Sequence, residues 1–172
     1  MAMTTATKWI IDPAHSDIQF KVKHLGMFNV TGTFKQFEGD VVSEHEDFSD
    51  AVINFTIHTN SIDTNQPDRD THLKSADFFN TEKYPHITFK GTYNNDTLSG
   101  NLTINDITQP VTLNAELTGV GKGRFGETRA GFEVDGKINR KDFGLVWNLL
   151  METGGVVVSE EIKLHFNIQL TT

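Results

Sequence analysis

The side chains able to do chemistry fall into four small groups. His15 and Ser16 are adjacent, and a Ser–His pair is the start of nucleophilic machinery, in which the imidazole takes the hydroxyl proton. Neighbours in an extended strand point to opposite faces, so these two diverge. No Gly-x-Ser-x-Gly elbow occurs in the chain. Asp68, Arg69, Asp70 and His72 form the densest polar cluster. His72 with a carboxylate could begin a metal site, but no His-x-His or His-Glu-x-x-His pairing accompanies it. The cluster reads as structural: a helix N-terminus capped by Asp68, with an Arg–Asp pair. His24 lies in phase with Phe20 and Val22, on the apolar face of its strand, where a hydrogen-bonded core histidine is commoner than a ligand. Arg140 and Asp142, ahead of Phe143 and Gly144, read as a turn-stabilising pair. No glycine-rich phosphate loop follows a strand. The expectation is no catalytic residue, no metal and no cofactor.

The elements that must position these groups are strands. Apolar and polar residues alternate in Ile18–Phe20–Val22, Ile53–Phe55–Ile57, Ile87–Phe89, Leu102–Ile104, Val111–Leu113–Ala115–Leu117, Phe132–Val134–Ile138 and Ile162–Leu164–Phe166–Ile168–Leu170. Each run puts apolar side chains on one face of a sheet. Asn94-Asn95-Asp96 and Asn105-Asp106 are tight-turn signals between runs, so the sheet is antiparallel. With strands at Trp9 to Asp12 and Val30 to Val42 added, the count is eight or nine. Gln66 to Asn80 is expected to hold a short helix with Leu73, Ala76 and Phe79 on one face, and Asn139 to Leu150 an irregular stretch with a helical turn. This is an all-β domain with one or two short helices, and residues 1–7 precede it as a disordered segment. Alternation alone leaves a two-layer sandwich and a closed barrel both open.

Composition narrows the partners. The 172 residues carry a net charge of −8, which repels nucleic-acid backbones and anionic bilayers. Without cysteine there is neither a disulfide nor thiol chemistry. The polar N-terminus lacks the apolar core of a signal peptide, so the chain as given is expected in the cytoplasm, or in the periplasm if its N-terminus has been trimmed. No run reaches the length of a membrane-spanning helix, and no stable membrane insertion is expected. Phenylalanine is plentiful, at 13 residues against two each of Trp and Tyr, and Phe brings bulk to an interior without a polar group to satisfy. Gly32, Gly91, Gly100 and Gly136 fall at inward positions. On the residues alone, sheet coiling is the better account of them.

Ordered motifs along the whole chain resemble the YceI-like family. Trp9-x-Ile11-Asp12-x-x-His15-Ser16-x-Ile18-x-Phe20-x-Val22-Lys23-His24-Leu25 is similar to its N-terminal signature. Gly32-x-Phe34-x-x-Phe37-x-Gly39, Arg69-Asp70-x-His72-Leu73-Lys74-Ser75-x-Asp77-Phe78-Phe79 and Tyr84-Pro85-x-Ile87-x-Phe89 follow. Asn139-Arg140-x-Asp142-Phe143-Gly144-Leu145 and Val158-Ser159-Glu160-Glu161-Ile162 complete the match. The resemblance implies a lipocalin-like, extended, eight-stranded antiparallel barrel over 8–172. It also implies a long apolar pocket for a polyisoprenoid, an isoprenoid quinone or a fatty amide or acid, no assigned catalytic residue, and a homodimer.

Under that resemblance the four glycines are expected to clear space along a tunnel. The expected lining is Phe20, Val22, Phe34, Phe37, Phe55 and Ile57 from the first half of the chain. Phe89, Leu102, Ile104, Val111 and Leu113 follow, then Phe132, Val134, Ile138, Phe143, Leu145, Phe166 and Ile168. His24 is placed for a lipid head group. The apolar stretch Phe143, Leu145, Val146, Trp147, Leu149, Leu150 and Met151 is expected to flank the pocket mouth or a subunit contact. Fifteen to twenty buried carbons would give about 12–16 kcal/mol gross, before ordering and association are subtracted. Carriage or storage of such a lipid is the leading function. An isoprenoid-modifying enzyme using His24, His72 or the Asp68–Asp70 cluster, and a stress-response module with a filled core, are the alternatives.

Overall fold

The computed structural model describes residues 5–148 and 158–172. Strand segments run in the order β1 (Thr7–Ile11), β2 (Asp17–His24), β3 (Phe28–Phe34), β4 (Phe37–Ser43), β5 (Ala51–His58) and β6 (Ile62–Asp63). After the helix α1 (Pro67–Lys74) come β7 (His86–Asn94), β8 (Thr97–Ile104), β9 (Ile107–Lys122), β10 (Thr128–Asn139) and β11 (Val158–Thr171). These segments make eight barrel strands. β1 and β2 are one strand kinked by a 3-10 turn at Pro13–His15, β3 and β4 one strand broken at Lys35 and Gln36, and β5 and β6 one strand broken at Thr59–Ser61. The halves pair as wholes: β1 with β4 and β2 with β3, then β4 with β5 and β3 with β6. From β5 the sheet continues through β7, β8, β9 and β10 to β11, which closes the barrel on both β2 and β1. Every pairing is antiparallel, so this is the eight-stranded lipocalin-like barrel and not a sandwich.

Local chemistry explains the joints. Asn95 and Asp96 (φ 49° and 61°) and Asn105 and Asp106 (φ 52° and 63°) have left-handed central pairs. That is the two-residue hairpin geometry that Asn and Asp tolerate best. The broken strands are stitched to each other at Ser61. Its carbonyl accepts from Lys35 N (3.2 Å), and its hydroxyl accepts from Gln36 N (3.0 Å) and donates to His58 O (2.6 Å). The first kink is tied past β11 to β10 by Asp12, whose carboxylate accepts from Arg129 Nη1 (2.8 Å) and meets His15 Nδ1 at 2.7 Å. Ser16 Oγ accepts from Gln169 N instead, so His15 and Ser16 serve separate partners.

The Arg129 guanidinium, with His15 beyond it, holds the Asp12 carboxyl at about 2, below the usual 3.8. A depressed carboxylate contributes stability above its unfolded value and loses it as pH falls. We therefore expect an acid limb in urea-denaturation stability between pH 4 and 2. Asp12→Asn should flatten it and cost about 1 kcal/mol at neutral pH, discounted for the partly exposed Arg129.

Helix α1 is shorter than the sequence implied and differently capped. Pro67 takes the first helical position, so the cap moves to Gln66, whose side chain accepts from Arg69 N at 2.7 Å. Asp68 sits exposed in the first turn and caps nothing. Ser75 ends the helix: it turns extended (ψ 174°), and its hydroxyl bonds back to His72 O at 2.5 Å. β1 starts at Thr7, inside the segment expected to be disordered.

The inward glycines correct a second expectation. None opens onto free space. The Phe20 ring lies over Gly32, the Phe89 ring over the facing pair Gly91 and Gly100, and Leu113 over Gly136. A Cβ at Gly32 would collide with the ring, so the missing side chain lets Phe20 lie down against the wall. This is aromatic cover of a strand glycine, and it lays the rings along the wall of the bore. At Gly100 an added methyl would overlap the Lys90 carbonyl oxygen, and backbone cannot swing aside as a ring can. Gly100→Ala is expected to cost about 2–3 kcal/mol by chemical denaturation, and Gly32→Ala under about 1 kcal/mol, because Phe20 can rotate inward.

Candidate functional site: the apolar bore

Inward faces of the eight strands enclose two chambers end to end, each about 130 Å³. Among the described residues no polar atom faces either one. Ile57, Ile87, Leu102, Leu164 and Phe166 belong to both walls and form the ring that divides them. A cavity of about 150 Å³ lined by Leu, Ile and Phe stays dry and holds a benzene. Each chamber thus has room for about one five-carbon isoprene unit with its walls unmoved.

The lower chamber lies toward the end carrying the β4–β5 loop. Phe55, Phe89, Val111, Leu113, Phe132, Val134 and Ile168 line it alone. The upper chamber, toward α1, is lined by Phe20, Val22, Phe34, Ile104, Ile138 and Leu145. Ile57, Leu102 and Phe166 reach both. Two of the expected positions do not face the bore. Phe37 is buried against Phe55, ring centroids 6.0 Å apart. Phe143, only 1 % exposed, belongs to the 3-10 turn Arg140–Phe143, outside the strand alternation.

The lining also holds residues outside the expected set. Ile18, Ile87 and Leu164 belong to the same apolar runs as Phe20, Phe89 and Phe166, and the alternation already puts them on the inward face. Phe48, Leu73, Phe78 and Phe79 come from a loop, the helix and the turns after it, where no period-two signal exists. At the lower end Phe48 lies between Trp9 (tilted, 5.1 Å) and Phe132 (edge-on, 5.0 Å), with Tyr93 edge-on to Phe132 at 5.4 Å. At the upper end Phe79 meets Phe34 edge-on at 5.8 Å, and Phe34 meets Phe20 at 5.6 Å.

The polar groups cluster around the upper end as scaffolding. Arg69 and Asp70 do not pair with each other; both hold Thr64. Arg69 donates to Thr64 Oγ1 (2.8 Å) and Thr64 O (2.7 Å), while Asp70 Oδ1 accepts from Thr64 N (2.9 Å). His72 Nε2 lies 2.9 Å from Asp77 Oδ2, its ring edge-on to Phe78 and Trp147. Arg140 also departs from the expected turn pair. It is 2 % exposed and donates to four carbonyls: Leu145 (2.6 Å), Ser159 (2.8 Å), Trp147 (2.9 Å) and Val158 (3.2 Å). Burial pushes its pKa down, against a smaller opposing pull from the Glu160 carboxylate. Asp142 stays exposed. His24 stands at the top of β2, beyond the upper chamber's lining, paired across the sheet with Val158 and Phe28. Among the described residues no group of three or more His, Asp or Glu is placed to hold a metal, and no helix is long and apolar enough to cross a membrane. Leu149, Leu150 and Met151, expected near the mouth, lie outside the described residues.

A closed up-and-down barrel with a void in its bore defines the lipocalin-like class, whose interiors are shaped around one small guest. The YceI-like domain family matches residues 9–170, and the chain belongs to that family. Protein YceI of Salmonella arizonae and of Salmonella enteritidis are each 45 % identical over 160 residues, covering 90 % of this chain and 81 % of theirs. Among solved structures, the Campylobacter jejuni YCEI protein is 30 % identical, with a TM-score of 0.71 over 100 % of this chain and 99 % of its own. Burkholderia cenocepacia BcnA shares the fold with a TM-score of 0.78 at 20 % identity, over 92 % of this chain and 98 % of its own. A polyisoprenoid binding domain from Saccharophagus degradans has a TM-score of 0.70 at 14 % identity, over 95 % of this chain and 98 % of its own.

Proposed function

We propose that this chain binds one apolar chain lipid in its bore, an isoprenoid, an isoprenoid quinone or a fatty amide or acid, and carries or stores it. The observation that carries the reading is the paired void. Protein interiors are close-packed, and two apolar chambers in line inside an otherwise filled barrel leave contacts that a guest would supply. About ten carbons across the two chambers would contribute about 8 kcal/mol gross, before ordering and association are subtracted. A longer chain is taken up as the side chains of the dividing ring turn aside. The aromatic cluster around Phe48 lies at the lower end and, among the described residues, offers a head group no polar partner, so the polar end of the lipid points up, toward His24 and the His72–Asp77 pair.

Calorimetric titration with farnesol tests this. The reading expects one molecule per chain and a negative heat-capacity change, the mark of apolar burial. Absence of heat and of any thermal shift at saturating farnesol would count against it.

A further inference from the structure

Phe48 is built into the lower end of the bore at a conformational cost. It sits in the β4–β5 loop at φ 61°, a left-handed conformation that disfavours any side chain with a Cβ and is an outlier for a bulky one. The loop is organised to hold it there. Phe48 N donates to His45 O (3.1 Å), Phe48 O accepts from Ala51 N (3.0 Å), and Asp50 N reaches across to Tyr93 O (2.9 Å). The result is a ring only 1 % exposed, wedged between Trp9 and Phe132, with one side on the lower chamber. A loop between two strands needs no buried aromatic at positive φ, and strain of this kind persists where the surrounding structure imposes it.

We infer that Phe48 is an end-stop that fixes how long an apolar chain the bore accepts. The inference rests on the reading that the bore holds such a chain. Chain carbons and side-chain carbons compete for the same close-packed volume, so space lost by Phe48 becomes length gained by the guest. Phe48→Ala removes the six ring carbons, and the preferred guest should lengthen by about as many carbons. Phe48→Leu keeps an apolar plug with three fewer carbons and should lengthen it by about three.

The test uses primary n-alkanols of increasing length, titrated calorimetrically into the wild-type chain and both variants, with near-ultraviolet circular dichroism reporting the fold. The optimum should move to longer alcohols in the order wild type, Leu, Ala. Each variant should bind its own best alcohol at least tenfold more tightly than the wild type binds that alcohol. An unchanged optimum in a folded variant overturns the end-stop while leaving the lipid-binding reading intact. Failure of every alcohol on the wild type as well as the variants removes the lipid-binding reading and the end-stop with it. If Phe48→Ala does not fold, the gentler Leu variant decides.

Discussion

Arg140→Met should destabilise the barrel by about 4 kcal/mol in urea denaturation, the largest single-site loss of stability we expect. The guanidinium fans its donors over four carbonyls from two stretches of chain, Leu145 and Trp147 after the 3-10 turn, and Val158 and Ser159 at the start of β11. Methionine matches its stem but takes the charged donor from all four carbonyls; Val158 O keeps Asn148 Nδ2 at 2.7 Å, and each lost bond to a charged donor is worth about 1.5–3 kcal/mol. The carbonyls can relax and some will find water, which keeps the total below the plain sum. Arg140→Lys should recover less than half of the loss, because an ammonium group is a compact point charge and cannot span the fork. Full recovery with lysine would show that charge alone, and not the geometry of the fork, holds this end of the barrel.

The largest effect on binding is expected from Leu102→Trp. Leu102 belongs to the ring between the chambers and touches both voids. An indole there should grow into empty space, closing the passage while changing stability by less than about 1 kcal/mol. In a filled core the same change would overpack and cost about 1–3 kcal/mol. Farnesol affinity should fall at least a hundredfold, since loss of the far chamber forfeits several methylenes at about 0.8 kcal/mol each. Loss of stability together with unchanged binding would place the guest elsewhere.

The antiparallel sheet and its inward face were legible because the strands carry a strict two-residue rhythm, whereas closure into a barrel was implied only by the resemblance to the YceI-like family. Phe20, Phe89, Leu113 and Phe166 could be assigned an inward face from sequence, and all four line the bore. What the rhythm does not carry is what happens between strands. Phe48 reaches the lower chamber only because its loop holds a left-handed turn, and Phe78 and Phe79 arrive through turns that follow a helix cut short by Ser75. Phe37 shows the converse limit: in phase with its strand, it packs on Phe55 at the strand break and not on the void. The glycines were misread for a related reason. Sequence shows that Gly32 and Gly100 lack side chains, but which neighbour covers them depends on cross-strand register. Arg140 looked like a turn residue because its acceptors are main-chain carbonyls, which no side-chain pattern reveals.

The most direct test of the central claim is denaturing extraction of the protein purified from cells, followed by mass spectrometry of the organic phase. The account predicts an apolar chain molecule in near one-to-one ratio to the polypeptide, diminished in Leu102→Trp. Trace lipid only, in a folded protein that also takes up no added prenol, would contradict it.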